Sequence, residues 1–491
     1  MKRIKKLLTI LTILITISPS LAYATAPSAP PSGNGVAPGG TPGSSSTSVS
    51  YKGKTKISSS TTKENQKYAS TTADQNALLV SGGTSTLNSC TVTKSGNSDG
   101  DDSDFYGTNA AVLVYNGATL NLNKATITTN GLHANAVFAY GKGTINISDS
   151  TINTTSNNSG GVMVTGGGTL NANNLTVKTK GNSAAAIRSD RGGGDLTVTG
   201  GTYETNGQGS PAIYSTANIK VNDATLTSTS SEGVVVEGAN SVELNNTTLI
   251  DTNTTLNGNS ETYKNIFLYQ SMSGDADQGT ASFKAKDSTI TTNKGDTIFV
   301  TNTTATVTLE NNTITNTDGD FVRIQKGKWG NSGSNGGNVT LKLTNQKAEG
   351  NIIVDSISTL DLSLTSGSVL KTAIDTSNQA KKVNLSLSED SVLVLTNDTY
   401  VDSLTNEVSD NSNIYLNGHK LYVNGKETTA NNGTYTETTN EVNSDTETNE
   451  TDNSESINNN NNLVYIVAAP IAVAVLTAVV LVTIKNKKKN N

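Results

Sequence analysis

The sequence predicts an all-β fold: a single-stranded right-handed parallel β-helix, a β-solenoid with three strands per coil and roughly a dozen coils. Three observations predict it. Apolar residues at i, i+2 and i+7 with a threonine at i+6 recur from starts at Leu120, Ile145, Leu170, Leu196, Ile219, Val242, Phe283 and Val307. The starts lie 23 to 26 residues apart, with one 41-residue gap that must hold an insertion. Each period also carries a second apolar strand upstream, as in "AVLVY" ending at Tyr115, "AVFAY" at Tyr140, "AAAIR" at Arg188, "SPAIY" at Tyr214 and "GVVVE" at Glu237. A fixed period of this length in a β-branched, Gly- and Asn-rich chain reads as stacked coils, each burying its apolar side on its neighbours. A leucine-rich repeat is the alternative, but its Leu and Asn framework is missing.

Taken in order, residues 1–24 have a basic start, an apolar run and an A-x-A site at Ala22-Tyr23-Ala24, the pattern of a secretory signal peptide. Residues 25–50 form a Pro/Gly/Ser linker holding five of the eight prolines. The extracellular β-helix is assigned to 51–425. Residues 426–462 are Thr/Asn/Glu-rich with almost no apolar side chains, so they cannot offset the entropy of ordering and read as a disordered stalk. Residues 463–484 carry no charge and are long enough to cross a bilayer; the lysines of the tail 485–491 place that tail in the cytoplasm. The expected location is therefore the cell membrane, single-pass, with the β-helix outside.

Composition limits the chemistry. One cysteine, Cys90, allows no intrachain disulfide, and two distant histidines, His133 and His419, argue against a His-based metal site or a Ser-His-Asp triad. A net charge of −6 without a basic stripe gives no sign of nucleic-acid binding. No cofactor is required by any motif. The run "DGDDSD" places Asp99, Asp101, Asp102 and Asp104 at oxygen-ligand spacing suited to Ca²⁺, with a solvated acidic loop as the plain reading. The threonines at i+6 read as a structural ladder rather than an ice-binding array, since Lys178, Glu204 and Ile250 break the flat surface.

The chain has four arginines, and "AAAIRSDRGGG" (184–194) holds two of them. Aligning the upstream strands by their last residues puts Arg188, Tyr214 and Glu237 at one outward position on successive coils, with Tyr140 and Tyr269 extending the column. The same alignment puts Val112/Val114, Val137/Ala139, Val162/Val164, Ala185/Ile187 and Val234/Val236 inside. Arg188, Asp190, Arg191, Tyr214, Glu237 and Tyr140 are thus the candidate ligand-binding residues: rings to stack on a sugar, a guanidinium fork for a carboxylate, acceptors for hydroxyls. No residue is assigned a catalytic role. As an outward side chain, Arg188 is expected to contribute within about half a kcal/mol to stability.

The segments "FYGTNAAVLV" (105–114), "AAAIRSDRGGG" (184–194), "GSPAIYSTANI" (209–219) and "EGVVVEGANS" (232–241) resemble the pectin-lyase-like right-handed parallel β-helix family, more closely the adhesin-like membrane-anchored surface proteins of bacteria and archaea. The likeness covers about residues 77–425. It implies the fold, and a group that includes lyases, hydrolases, epimerases and non-catalytic adhesins. Enzymes of the group commonly place an arginine or lysine base beside acidic residues that hold Ca²⁺; here the arginine is present and a comparable carboxylate cluster is not expected. The leading function is adhesion to a glycan or to a host or neighbouring cell surface, the membrane being met through the C-terminal helix. A polysaccharide-modifying enzyme and a cell-envelope spacer are the alternatives.

Overall fold

The computed structural model describes residues 49–257 and 260–437. The signal peptide, most of the 25–50 linker, the span 463–484 and the basic tail lie outside the described residues, as does most of the stalk. No helix among the described residues is long and apolar enough to cross a membrane.

The chain winds into a parallel β-solenoid of the right-handed type with about 15 turns, more than the dozen predicted. A representative coil uses Val112–Val114 on face A, Thr119–Asn123 on face B and Thr126–Thr129 on face C. Face A is a 12-stranded parallel sheet; faces B and C share one 22-stranded hydrogen-bonded set along most of their length. The only helix among the described residues is the single turn Asp101–Phe105.

The repeat read from the sequence is the observed register. Leu120 pairs with Ile145, then Leu170, Leu196, Ile219, Val242, Phe283 and Val307. The threonines stack one coil at a time from Thr126 to Thr313, outward and mostly exposed. Alternation along each strand sends every second side chain inward, so the core is one apolar column in which Phe283 and Leu120 are fully buried.

A second column explains the asparagines. Faces B and C meet at a corner whose first residue has positive φ: Lys124, Asp149, Asn174, Gly200, Asp223, Asn246, Asp287 and Asn311 in successive coils. Asn, Asp and Gly visit this left-handed region at least cost. The side chains also bond up the column, Asn174 Nδ2 to Asp149 Oδ1 at 2.8 Å and Asn246 Nδ2 to Asp223 Oδ1 at 2.6 Å. Asn246→Val is expected to lower stability by about 1–2 kcal/mol, because a β-branched residue is strained there. Asn246→Gly should shift the urea midpoint much less; equal shifts would refute the conformational explanation.

The sequence alignment of face A fails at two coils. Arg188 does pair with Tyr214, but Tyr214 pairs with Val235, and Glu237 pairs with Tyr269. The outward column is therefore Phe138, Met163, Arg188, Tyr214, Val235 and Phe267. Glu237 lies two residues further along, in the column of Tyr140 and Thr165. The cause is that the inward places after Ile187 and Ile213 hold Ser189 and Ser215, which ends the apolar run two residues before the strand position it marks elsewhere. Both serines are buried and bonded: Ser189 Oγ accepts from Thr216 N at 2.7 Å, and Ser215 Oγ donates to Ala217 O at 2.9 Å. Ile187, not Ala185, aligns with Val162. Ala185 lines the outer cleft described below.

At the C-terminal end Leu421–Val423 continues the parallel pairing from Thr399–Val401, then turns through Asn424-Gly425, both at positive φ, into the antiparallel strand Lys426–Glu427. Asn-Gly is the favoured pair for so tight a hairpin. Pairing extends past residue 425 to Asn431, which bridges Tyr415.

Candidate functional site

Between residues 97 and 336, four insertions among the described residues leave the regular coil, all at the margins of face A. Residues 97–107, with the helical turn, and 252–263 interrupt the corner from face C to face A; 270–279 and 325–336 interrupt the corner from face A to face B. The 41-residue gap thus holds two insertions, one on each side of the strand Lys264–Tyr269. Together the four wall a cleft of about 390 Å³ over face A.

The floor carries most of the residues the sequence singled out. Arg188, Asp190, Tyr214 and Glu237 all line the cleft, joined by Phe267 and Tyr269. Arg191 pairs through Nε with Asp275 Oδ1 at 2.7 Å and lies over the Phe105 ring at 3.8 Å, tying two walls together. Tyr140 does not line the cleft; it packs edge-on to Tyr106 at 5.5 Å and beside Tyr51, beneath the first insertion.

Arg188 is not surface trimming. Its side chain is 12 % exposed and Nη2 donates to Asp190 Oδ2 at 2.9 Å, with Asp190 5 % exposed. Burial pushes the Asp190 carboxyl up to about 7, opposed by Arg188 and reinforced by Asp275 and Asp104. Glu237, 1 % exposed, accepts from Tyr214 Oη at 2.6 Å, Tyr269 Oη at 2.8 Å and both the backbone N–H and hydroxyl of Ser271. Burial still raises its carboxyl above the ordinary range, and the same burial raises both tyrosines.

One wall is a second positive-φ column, His133, Asn158, Ser183 and Gly209, at the corner entering face A. His133 Nδ1 lies 2.9 Å from Asp104 Oδ2, and Asn158 Nδ2 lies 3.0 Å from His133 Nε2. The opposite end is closed by Trp329, 5.5 Å from the Tyr269 ring. Its loop is pinned by Asn335 Nδ2, which donates to the carbonyls of Gly327 and Trp329. Phe267 stacks on Tyr269 at 4.5 Å, so the floor near Trp329 is aromatic.

Among the described residues, six acidic residues line the cleft without forming a Ca²⁺-holding cluster of the kind that enzymes of the pectin-lyase-like group use. Asp101, Asp104, Asp190, Glu232, Glu237 and Asp275 all line the cleft, and all but Asp190 are brought by coils or insertions outside the arginine stretch. Glu232 is matched by buried Lys264 at 3.1 Å. The proposed Ca²⁺ ligands do not gather: Asp101, Asp102 and Asp104 are spread around the helical turn, and Asp104 turns to His133. Among the described residues no group of three or more His, Cys, Asp or Glu is placed to hold a metal. His133 and Trp329 were missed as site residues; the signal available was that the single tryptophan sits in a Gly/Asn/Ser-rich insertion.

No protein-family profile, curated protein or solved structure matches this chain. What stands of the resemblance is the parallel β-solenoid itself.

Proposed function

We propose that this is a cell-surface β-solenoid whose face-A cleft binds a glycan. The observation that carries the reading is the cleft's lining: the rings of Phe267, Tyr269 and Trp329 on one side, the acceptor-rich Asp190, Asp104 and Asp275 on the other. Aromatic faces take the apolar face of a sugar ring, and carboxylates accept from its hydroxyls. The surface location rests on the sequence of the two ends.

The charge count refines the ligand. Arg188, Arg191 and Lys264 are committed to Asp190, Asp275 and Glu232, and Asp101, Asp104 and Glu237 line the same cleft as further acceptors. With each of these cations already paired, a sugar acid finds no free partner for its carboxylate, so the cleft favours a neutral or amino sugar. This revises the acidic-sugar ligand suggested by the arginines alone.

The test is a glycan array probed with the purified protein, followed by titration of the strongest neutral or amino-sugar hit. Trp329→Ala should weaken that binding at least tenfold, about 1.4 kcal/mol, because it removes a closing ring. Preferential binding of uronic acids, or unchanged binding in the variant, would defeat this reading. A second reading is favoured by one feature, the buried Asp190 carboxyl, which burial raises toward neutrality. If the hit is cleaved and Asp190→Asn stops cleavage while retaining binding, the cleft is a glycosidase site.

A further inference from the structure

The first described coil holds an unanswered charge. Residues 51–70 carry five lysines, Lys52, Lys54, Lys56, Lys63 and Lys67, against one acid, Glu64, in a chain whose net charge is −6. All five lysines are exposed, and among the described residues none makes an ion pair. Farther along the solenoid, by contrast, Lys178 is met by Glu204 at 3.0 Å and Lys220 by Glu243 at 3.4 Å, each across one coil. The chain as a whole repels a polyanion, so any attraction for one has to be local to this coil.

The positions of the lysines separate two roles. Lys63 pairs with Leu87 in the inward column, and among the described residues no strand pairs on its other side, so it bars a further coil from stacking on the core. Lys52, Lys54 and Lys56 stand at alternate positions leading into and along the edge strand Gly53–Ile57. Alternation puts all three on its outer side, with neighbouring Cα atoms about 7 Å apart.

Rings lie beside this row. Lys56 opens the outward column of face A, which continues through Leu79, Leu113 and Phe138, all buried. Half-buried Tyr51 and Tyr115 pack against that apolar stretch, with ring centroids 4.4 Å apart. Tyr51 Oη is buried, so what Tyr51 leaves at the surface is ring. Arg188 follows in the same column after Phe138 and Met163, about 24 Å from Lys56 at the spacing of paired strands, so the row is separate from the cleft floor.

We propose that this end of face A docks a sulfated polysaccharide, with its ester groups along Lys52, Lys54 and Lys56 and a sugar ring against Tyr51 and Tyr115. Ammonium groups meet sulfate oxygens as point charges, without the bidentate fork that suits a carboxylate, and residues 51–70 hold no arginine. The tyrosine faces take the apolar face of a sugar, which a polyanion without rings does not offer. The site stands whether or not the cleft binds a glycan.

The experiment is a titration of the purified full chain with fluorescent dextran sulfate, with unsulfated dextran as the uncharged control. Saturable binding is expected at about 50 mM salt, weakened about tenfold by about 200 mM as screening sets in, with no binding of dextran. Lys52→Gln, Lys54→Gln and Lys56→Gln together should weaken dextran sulfate about tenfold or more. The same charge change on faces B and C, Lys178→Gln with Lys220→Gln and Lys284→Gln, should leave binding at the native level. Tyr115→Leu, which keeps the apolar cover, should weaken it about threefold, the scale of one ring contact. No binding by the native chain would overturn the proposal, as would equal losses in the two triple variants, which mark a response to net charge alone. Unchanged binding in Tyr115→Leu would overturn the assignment to a polysaccharide. Native-level binding with new self-association in the Lys52, Lys54 and Lys56 variant would overturn it too, by showing that the row only guards the edge strand.

Discussion

Arg188→Ala is expected to destabilise the solenoid by about 3 kcal/mol, the scale for removing one partner of a buried ion pair. The loss leaves Asp190, 5 % exposed, without the donor at 2.9 Å that compensates its burial. Asp190 escapes part of the penalty by taking up a proton, so the cost should be smaller at pH 5 than at pH 8. Replacing both residues, Arg188→Ala with Asp190→Asn, should recover more than half of the loss, because the amide carries no uncompensated charge. Urea unfolding of the single and double variants at both pH values checks this. A single variant as stable as the native chain would return Arg188 to the status of an exposed trimming residue.

The second large effect is a pH dependence centred on Asp251. This residue ends the strand Thr248–Asp251 facing inward, is fully buried, and its Oδ1 accepts from Asn253 N at 2.7 Å where the 252–263 insertion begins. Burial pushes its carboxyl up to about 8, with nearby Glu232 adding to the rise and Lys264 and the Asn253 N–H opposing it. The folded state therefore holds this proton while the unfolded chain, near 3.8, has released it. Stability contributed by the neutral acid is present below about pH 4, falls as pH rises through the window to about 8, and is flat beyond it. At about 1.4 kcal/mol per unit the ceiling is several kcal/mol, reduced in practice by relaxation around the site. Asp190 contributes a slope of the same sign up to about 7, so the comparison must be with Asp251→Asn, which keeps the Asn253 contact and removes the titration. Identical slopes for the native chain and the Asp251→Asn variant would show that Asp251 does not titrate in this window.

The sequence made the frame legible because the frame is local and repeated. Leu120, Ile145 and Leu170 occupy equivalent places whatever the remainder of the chain does, and a period of 23 to 26 residues is visible without long-range information. Face A was harder, because its register is marked by apolar runs, and Ser189 and Ser215 interrupt those runs while still pointing inward. The site was half legible. Arg188, Asp190, Tyr214 and Glu237 do meet, although Glu237 reaches Tyr214 from the neighbouring column through its carboxylate rather than by stacking in the same one. What could not be read is whatever arrives on an insertion. Asp104, Asp275 and Trp329 come from loops whose ends are fixed by the coil and whose paths are set only by tertiary contacts, such as Thr165 Oγ1 to Phe105 O at 2.6 Å.

The placement of those insertions divides the labour of the chain. Within the stretch that forms the cleft, faces B and C act as a ruler whose graduations keep nearly constant spacing, whereas the margins of face A accept extra length without disturbing the count. A solenoid of this kind behaves as a chassis with interchangeable fittings: exchanging residues 325–336 for another loop of similar span should change what the cleft admits while the core columns stay in register. Selection acting on specificity and selection acting on folding then operate on separate stretches of the same chain, and diversification of the one carries little hazard for the other.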